Sequence, residues 1–307
     1  MDLKTNKRNI YIGISLAVLA TLIWSGNFIV ARGVIKEIPP VSLSFYRWLF
    51  AAIILIPFAY KQFKKEWNTI KQSWHYLFWV SLSGIALFNT FVYVAGHYTS
   101  AINLALIGTT SSPIMANILA RIFLKEKIGW YKIVGIALCI TGVLFLLAKG
   151  DFRNLLTFQF SEGDLWVLLA AFCFAVYNTL VRKKPVAISA SSFLLTIFSL
   201  GTILLFPFFL WEHNYSQPVV WSMNLVWVIT YLSIGASVIC FWIWNISIQK
   251  LGAGRTALFG NLIPIFSSIE AVLWLHERFT FNHVISMTVV LTGLVIANLP
   301  LFFRNKL

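Results

Sequence analysis

The feature that most constrains this chain is a succession of long apolar runs separated by short polar segments. Apolar residues make up 59% of the 307 residues and charged residues only 11%, more apolar surface than a soluble domain of this length can hide. A membrane-spanning helix needs about 20 apolar residues. We therefore expect an all-α polytopic membrane protein, in contact with the lipid bilayer and without an attached soluble domain. On that measure ten spans are predicted, at 11–31, 41–60, 74–96, 100–123, 130–148, 164–182, 189–211, 223–248, 255–275 and 281–303.

The distribution of basic residues predicts the orientation of the spans. With the N-terminus inside, the inner segments carry eighteen of the 24 lysines and arginines, whereas the outer segments carry five: Arg32, Lys36, Lys149, Arg153 and Arg278. Basic residues near span ends are retained on the cytoplasmic side. We expect a protein of the bacterial inner membrane with both termini in the cytoplasm. The first apolar run is too long for a signal-peptide core and no A-x-A site follows it, so it is expected to remain as a span.

Composition and motif searches argue against several other classes of protein. The net charge of +14 comes from basic clusters between apolar runs, not from one basic face, so nucleic acid is not an expected partner. Cys139, Cys173 and Cys240 lie inside apolar runs without paired spacing, which indicates packing residues. The histidines lack H-x-x-x-H spacing, and no Walker loop or dinucleotide fingerprint occurs. We expect no catalytic residues, no cofactor, no metal site and no ATP hydrolysis by this chain alone.

The two halves of the chain, residues 1–150 and 151–307, resemble each other when they are shifted by about 150 residues. The matched pairs include Pro57-Phe58 with Pro207-Phe208, Pro113 with Pro264, Arg32 with Arg182, and Thr141-Gly142 with Thr292-Gly293. Each half has five spans, an odd number, so the second half must enter the membrane from the opposite side. The sequence thus predicts two inverted five-helix repeats, an arrangement that can open a site at their interface alternately to each side. Duplication that serves only fold stability is the competing interpretation.

Several motifs resemble those of a known family. They are Trp24-Ser25-Gly26-Asn27-Phe28 in the first span, Pro39-Pro40 followed by Arg47, Leu124-Lys125-Glu126-Lys127 followed by Gly135 and Gly142, and Leu275-His276-Glu277-Arg278 followed by Gly293. Over essentially its whole length the chain resembles the EamA family of the drug/metabolite transporter superfamily. The resemblance implies a central cavity between spans 1–4 and 6–9, with spans 5 and 10 at the periphery. Related members export amino acids or their derivatives and others carry sugars, nucleotide sugars, cofactors or drugs, so the resemblance does not name the substrate.

Polar side chains within the spans are the candidates for a substrate pathway, because they are costly in lipid unless they face protein or water. A lining of amides, hydroxyls and aromatic rings suits a polar or zwitterionic small molecule that also has an apolar part. The same side chains could instead join helices by hydrogen bonds, and for any single asparagine the sequence favours neither role. The candidates are Trp24, Asn27, Asn89, Tyr93, Thr110, Asn117, Tyr177, Asn178, Trp242, Asn245 and Asn261.

Two charges lie well inside predicted spans, Arg47 and Glu270, each about six residues or 9 Å from the outer end of its span. Equal depth favours mutual pairing, since an unpaired charge in lipid costs a few kcal/mol. We expect an outer gate in which Glu270 can take a proton or Arg47 can bind a substrate carboxylate. A static salt bridge, which the sequence slightly favours, and snorkelling of Arg47 to the surface are the alternatives.

Glu126 and Glu277 each precede a peripheral span, where an acidic side chain can cap free N–H groups. Capping is the favoured role and gating the alternative. Small residues such as Gly135, Gly142 and Gly293 would allow helices to approach closely, either internally or in a homodimer. The favoured function is a transporter, and by resemblance an exporter, of a small metabolite such as an amino acid or derivative. A polytopic membrane enzyme or a lipid-handling scaffold is the alternative.

Overall fold

The computed structural model describes residues 3–123, 129–148, 150–151, 161–251, 256 and 259–303, and its regular elements in these ranges are all helical. Glu126 and its neighbours Lys125 and Lys127 lie outside the described residues. The helices of the first half are α1 (Leu3–Gly33), α2 (Pro40–Gln72), α3 (Trp74–Gly96), α4 (Ala101–Phe123) and α5 (Trp130–Leu147). Those of the second half are α6 (Glu162–Val181), α7 (Ala190–Tyr215), α8 (Met223–Leu251), α9 (Ile263–Leu275, preceded by a 3-10 turn at Gly260–Leu262) and α10 (Phe281–Phe303).

Seven of these helices, α1 to α4 and α6 to α8, are long and apolar enough to cross a membrane. The helices α5, α9 and α10 supply shorter apolar stretches in the described residues. One boundary was predicted wrongly: residues 61–72 were expected to be a hydrophilic connection, but they continue α2 to Gln72. Lys, Glu and Gln are good helix formers, so α2 can leave the apolar layer without a break in its hydrogen bonding.

The third helix of each half contains a π-helical segment, Leu82–Leu87 in α3 and Tyr231–Ile239 in α8. These segments occupy equivalent positions under the repeat shift that aligns the prolines of α2 and α7. A π-helix carries extra residues per turn and therefore changes the face on which all later side chains lie. Such segments are frequent at functional sites, and one of these two supplies a residue of the candidate site described below.

Helices α2 and α7, equivalent in the two halves, pack against each other with opposite directions. Glu66, near the end of α2, accepts hydrogen bonds from the backbone N and hydroxyl of Ser189 at the start of α7 (3.0 and 3.1 Å). Glu212, near the end of α7, accepts from the backbone N of Val41 and Ser42 at the start of α2 (3.0 and 2.6 Å). Each carboxylate thus meets free N–H groups at the positive end of the partner's helix dipole, which ties the halves together at both ends.

Helices α5 and α10 also pack antiparallel, through glycines that let their backbones touch. A Cβ on Gly293 would lie 2.7 Å from the carbonyl oxygen of Gly135, and one on Gly142 would lie 2.7 Å from a methyl group of Val290. Ser286 fills the same seam by donating a hydrogen bond to the carbonyl of Gly142 (2.7 Å). The small residues therefore serve internal packing of the two peripheral helices.

The first helix of each half crosses to the other half. Helix α1 packs against α8 and α9, and α6 packs against α3 and α4. The centre between these helices and α2 is closed, with the large side chains Trp48, Tyr93 and Phe198 fully buried. Polar groups on α1, α2, α3, α8 and α9 consequently meet in the interior of the helix assembly.

Candidate functional site

The interior polar group is centred on Arg47 of α2, which is only 4% exposed. Its Nη1 lies 2.6 Å from Asn27 Oδ1 on α1, 2.8 Å from Asn89 Oδ1 on α3 and 2.8 Å from the Tyr93 hydroxyl, also on α3. The Tyr93 hydroxyl in turn donates to Asn27 Oδ1 (3.0 Å). We call Asn27, Arg47, Asn89 and Tyr93, together with Ser237, the arginine cluster.

Ser237 links this cluster to the second half of the chain. Arg47 Nε donates to Ser237 Oγ (3.1 Å), and the Ser237 hydroxyl donates to the carbonyl of Leu232 within the π-helical segment of α8 (2.9 Å). The Leu232 bond spans five residues, the spacing of a π turn, so the unusual helix geometry presents this hydroxyl to Arg47. The arginine cluster therefore joins three helices of one half to one helix of the other.

The ligands of Arg47 are oxygens of amides and hydroxyls, all of them neutral. Among the described residues no carboxylate lies within hydrogen-bond distance of its guanidinium. The guanidinium also makes a cation–π contact with Trp48, whose ring centroid is 4.6 Å away. A guanidinium is always charged and matches the planar geometry of a carboxylate. The cluster is thus a desolvated cation whose ionic partner could come from a bound molecule.

Glu270 of α9 forms a second buried site, and it is 7% exposed. Its Oε1 lies 2.8 Å from the hydroxyl of Ser25 on α1, while its Oε2 has no hydrogen-bond partner. The Arg47–Glu270 salt bridge expected from their equal depth is therefore absent, and that prediction was wrong. The number of residues from a span end predicts how deep a side chain lies in the membrane, but not which neighbouring helix it contacts. Arg47 contacts α1 at Asn27, whereas Glu270 contacts it at Ser25.

Tyr231 of α8 lies near both sites and interacts electrostatically with Arg47 and Glu270. Its hydroxyl donates to the carbonyl of Ile23 on α1, and a Cβ at Gly26 would overlap it. Glycine at position 26 is thus needed for the tyrosine to reach the backbone of α1. Within about one turn of α1, the motif Trp24-Ser25-Gly26-Asn27 places a contact to α9, a contact to α8 and a contact to Arg47 on consecutive residues.

Other predicted site residues lie around these two sites without joining them. Trp24 donates to the carbonyl of Ala236 on α8 (2.8 Å) and packs on Phe241 and Trp244. Tyr177 of α6 is buried against Gly84 and stacks on Phe174, and Thr110 of α4 is buried with a hydroxyl that has no partner. These three face the interior.

The remaining candidates lie further out. Asn117 donates to the carbonyl of Pro113 and accepts from Lys132, and Asn245 donates to the carbonyl of Phe241 in its own helix. Asn178 and Asn261 are half-buried. Trp242 is 68% exposed on the outer surface of the helix assembly, because the π-helical segment that precedes it breaks the regular spacing of 100° per residue on which its inward position was predicted.

Three residues of the two sites were not among the sequence candidates, namely Ser25, Tyr231 and Ser237. Serine hydroxyls in membrane helices usually bond to their own helix backbone and give little sequence signal. Ser25 could have been found from its position inside the Trp-Ser-Gly-Asn motif. The role of Ser237 depends on the π-helix, which hydrophobic periodicity does not reveal.

An open cavity of about 670 Å³ lies at the end of the molecule that bears the ends of α1, α3 and α9. Its lining includes Arg32, Lys36, Tyr98, Ser100 and Glu277. Glu277 accepts from the backbone N of Ala101 and Ile102 (2.7 and 3.1 Å), so it caps the start of α4 and not the peripheral helix that follows it in sequence. His276 makes this reversal by adopting a left-handed backbone (φ 53°) after α9.

An all-helical chain with many candidate spans, built from two similar halves that enclose charged groups, defines a multi-pass membrane protein. The model of the EamA-like transporter family matches the chain twice, over residues 11–148 and 161–299. The protein therefore belongs to the EamA-like transporter family, as the sequence motifs predicted.

Three relatives illustrate this membership. An uncharacterised transporter of Archaeoglobus fulgidus is 29% identical over 91% of this chain and 94% of its own length. The uncharacterised transporter YyaM of Bacillus subtilis is 30% identical over 84% and 85%, and a probable amino-acid metabolite efflux pump of Escherichia coli is 24% identical over 94% and 96%. The family and these relatives are transporters, not enzymes, which confirms the transport interpretation of the sequence.

A solved crystal structure shares the fold. It aligns with a TM-score of 0.62 over 98% of this chain and 99% of the other chain, at 17% sequence identity. The helix arrangement is thus known in an experimental structure of nearly the same extent.

Proposed function

We propose that the protein exports a small metabolite bearing a carboxylate, such as an amino acid or an amino-acid derivative, by alternating access at the arginine cluster. The working unit is ten spans in two inverted five-helix repeats, in the inner membrane of a bacterium, with both termini in the cytoplasm. Basic residues concentrated on one set of connecting segments support that orientation.

The observation that carries the proposal is the buried Arg47, held by neutral oxygens from both halves of the chain. Burying a charge is costly, and hydrogen bonds to amides offset only part of that cost. A substrate carboxylate could replace Asn27 and Asn89 as the acceptor and would supply the missing negative charge. The site is therefore better suited to an anionic or zwitterionic molecule than to a simple amine or a sugar.

The packing of equivalent helices supports alternating access. Helices α2 and α7 run antiparallel and cap each other. The closely packed helices α5 and α10 also run antiparallel. Antiparallel packing of equivalent helices is expected of inverted repeats. Because Arg47 contacts Ser237 of the other half, movement of one half against the other would change the arginine's ligands. Substrate binding and the opening of one side are thus coupled at a single side chain.

The substrate class also fits the surroundings of the cluster. Trp48, Tyr93 and Phe198 form an aromatic wall beside Arg47, suited to an apolar side chain. The printed name of the Escherichia coli relative, an amino-acid metabolite efflux pump, agrees with this class. In this arrangement Arg47 would bind the carboxylate common to all substrates, and the aromatic residues would select among their apolar side chains.

The test is uptake and counterflow in proteoliposomes with matched pairs of probes, each an amino acid and the amine left by its decarboxylation. Pairs built on phenylalanine, leucine and arginine vary the side chain while changing only the carboxylate within a pair. We expect flux of at least one amino acid and none of its paired amine. Equal flux of both members of every transported pair would contradict recognition by Arg47, and no flux of any probe would contradict this substrate class.

A further inference from the structure

The carboxyl group of Glu270 has too few donors for a carboxylate. It is buried, and among the described residues its Oε2 has no hydrogen-bond partner and its Oε1 contacts the Ser25 hydroxyl alone. An ionised carboxylate accepts hydrogen bonds and donates none, and leaving one oxygen of such a group unpaired in a membrane interior is strongly unfavourable.

The position of the Ser25 hydroxyl provides an independent count of protons. Ser25 Oγ lies 2.6 Å from the carbonyl oxygen of Leu22 and 2.8 Å from Glu270 Oε1. A hydroxyl has one proton, so it can donate to only one of these oxygens. If Glu270 were ionised, the other short oxygen–oxygen contact would hold no proton. If Glu270 is protonated, Ser25 donates to Leu22, the carboxyl donates to Ser25, and both contacts are hydrogen bonds.

The charged and titratable groups around Glu270 are few in the part of the chain that the structure describes. Helix α1 presents Ser25 and helix α8 presents Tyr231, which itself interacts electrostatically with Arg47, Tyr93 and Cys240. Helix α4 meets α9 with the apolar residues Ala101 and Ile102. Among the described residues no cation pairs with the carboxyl, so a bound proton is what would neutralise it.

The 670 Å³ cavity lies on the side of this carboxyl where α1 and α9 end. Gly33 and Leu275, which contact each other at the ends of α1 and α9, line the 670 Å³ cavity. Glu270 lies five residues before Leu275, a depth of about 8 Å along the helix axis. Separation of α1 from α9 at this end would therefore expose Glu270 to the cavity.

We propose that Glu270 is a proton-binding site, protonated when the interior is closed, and that a proton bound there is the coupling ion of transport. This inference rests on the proposed function for its coupling step, but proton binding itself can be tested without a substrate. When the cavity side opens, the Glu270 carboxylate takes a proton from water and one O–H bond forms. When the opposite side opens, that bond breaks and the proton passes to water there.

The link between proton and substrate runs through α1, on which Ser25 faces Glu270 and Asn27 faces Arg47. Release of the proton on the opposite side leaves a carboxylate beside Ser25, which favours a change in the position of α1. That movement would also withdraw Asn27 from Arg47 and free the guanidinium for a substrate carboxylate. Proton binding and substrate binding are thus linked by one helix.

The test is infrared spectroscopy of the purified full-length protein in lipid nanodiscs at neutral pH. A protonated carboxyl has a C=O stretching band separate from the carboxylate bands. We expect one such band in the wild type, its loss in Glu270→Gln, and a shift in its frequency in Ser25→Ala, where its hydrogen-bond acceptor is missing. The matched control is Glu162→Gln, at an accessible helix start, which should leave the band unchanged.

Absence of the band in the wild type, or its persistence in Glu270→Gln, would overturn the proposal. Coupling is measured in the proteoliposomes described above, as the ratio of flux with and without a pH gradient. We expect a ratio of at least about tenfold in the wild type, equivalent to about 1.4 kcal/mol, and loss of this response to the gradient in Glu270→Gln. A gradient response that survives in Glu270→Gln would refute the coupling role, whereas absence of all flux would count against the proposed function alone.

Discussion

At the scale of single residues, the interior holds a basic group, Arg47, and an acidic group, Glu270, which do not contact each other. Arg47 contacts Asn27, whereas Glu270 contacts Ser25, two residues earlier on the same helix. A direct salt bridge would have satisfied both groups permanently and would have held α1, α2 and α9 in one arrangement. Separate, incompletely satisfied sites leave both groups able to exchange partners during a transport cycle.

Replacing Asn27 by aspartate is expected to lock the arginine cluster. A carboxylate 2.6 Å from Arg47 Nη1 would imitate a bound substrate and turn the hydrogen bond of a cation to a neutral amide into an ion pair. Hydrogen bonds to charged groups are worth about 1.5–3 kcal/mol. Asn27→Asp should therefore raise the thermal unfolding temperature in detergent and abolish counterflow. Asn27→Ala is the control and should lower that temperature. A lower unfolding temperature in Asn27→Asp than in Asn27→Ala would contradict the account.

Gly26 provides a second test at the residue scale. Gly26→Ala should destabilise the protein by about 1–3 kcal/mol, because its methyl group overlaps the Tyr231 hydroxyl on α8. Adding Tyr231→Phe removes that oxygen and should restore part of the loss. Thermal unfolding of the two single variants and the double variant measures the coupling. Strictly additive effects would show that residues 26 and 231 do not meet.

The arginine cluster was largely predictable from the sequence, because amides and a charge inside apolar runs have few roles other than meeting one another. Asn27, Arg47, Asn89 and Tyr93 were all candidates, and the structure brings them together. The pairing of Glu270 with Ser25 was not predicted, since a serine that can bond to its own helix gives a signal only through the motif around it.

At the scale of helices, acidic side chains connect the two halves by capping each other's helices. Glu66, Glu212 and Glu277 each accept hydrogen bonds from the start of a helix that belongs to the other half. The sequence predicted capping at Glu277 but assigned it to the following helix. The target was missed because the left-handed turn at His276 directs the carboxylate back to α4.

Glu212 and Glu66 make matched variants for this capping. Glu212 is buried and also accepts from the Ser42 hydroxyl (2.8 Å), whereas Glu66 is only half-buried. Glu212→Gln should cost about 0.5–2 kcal/mol of stability, the range for loss of a helix cap. Glu66→Gln should cost less, since water screens its charge. Thermal unfolding of both variants checks the order, and a larger loss in Glu66→Gln would contradict it.

The long apolar runs of the sequence predicted membrane-spanning helices but not their internal geometry. The π-helical segments in α3 and α8 break the regular phase, so Ser237 lies at Arg47 while Trp242 faces outward. A sequence pattern that assumes 3.6 residues per turn cannot locate such a change. Helix ends were similarly inexact where polar residues continued α2 to Gln72.

At the scale of the whole molecule, the account requires a particular orientation in the membrane. Lys65 lies near the end of α2, next to the start of α7. Arg278 lies at the opposite end of the molecule, where it follows Glu277 of the 670 Å³ cavity. The all-helical, membrane-spanning architecture followed from the sequence because long apolar runs are visible there. No such pattern predicts how the two halves move, so their movement has to be measured.

Cysteine labelling tests this orientation. The native cysteines Cys139, Cys173 and Cys240 are buried, so they give a low background. In intact cells a membrane-impermeant maleimide should label Arg278→Cys, and it should label Lys65→Cys only after the membrane is disrupted. The reverse pattern would place the termini outside.

The central claim is that Arg47 recognises the substrate carboxylate. Its most direct test is counterflow of a transported amino acid by Arg47→Gln in proteoliposomes, beside the wild type and the exposed-surface control Arg278→Gln. We predict at least about a tenfold loss of flux in Arg47→Gln, equivalent to about 1.4 kcal/mol, with the control unchanged. Wild-type flux in a correctly folded Arg47→Gln protein would contradict the account.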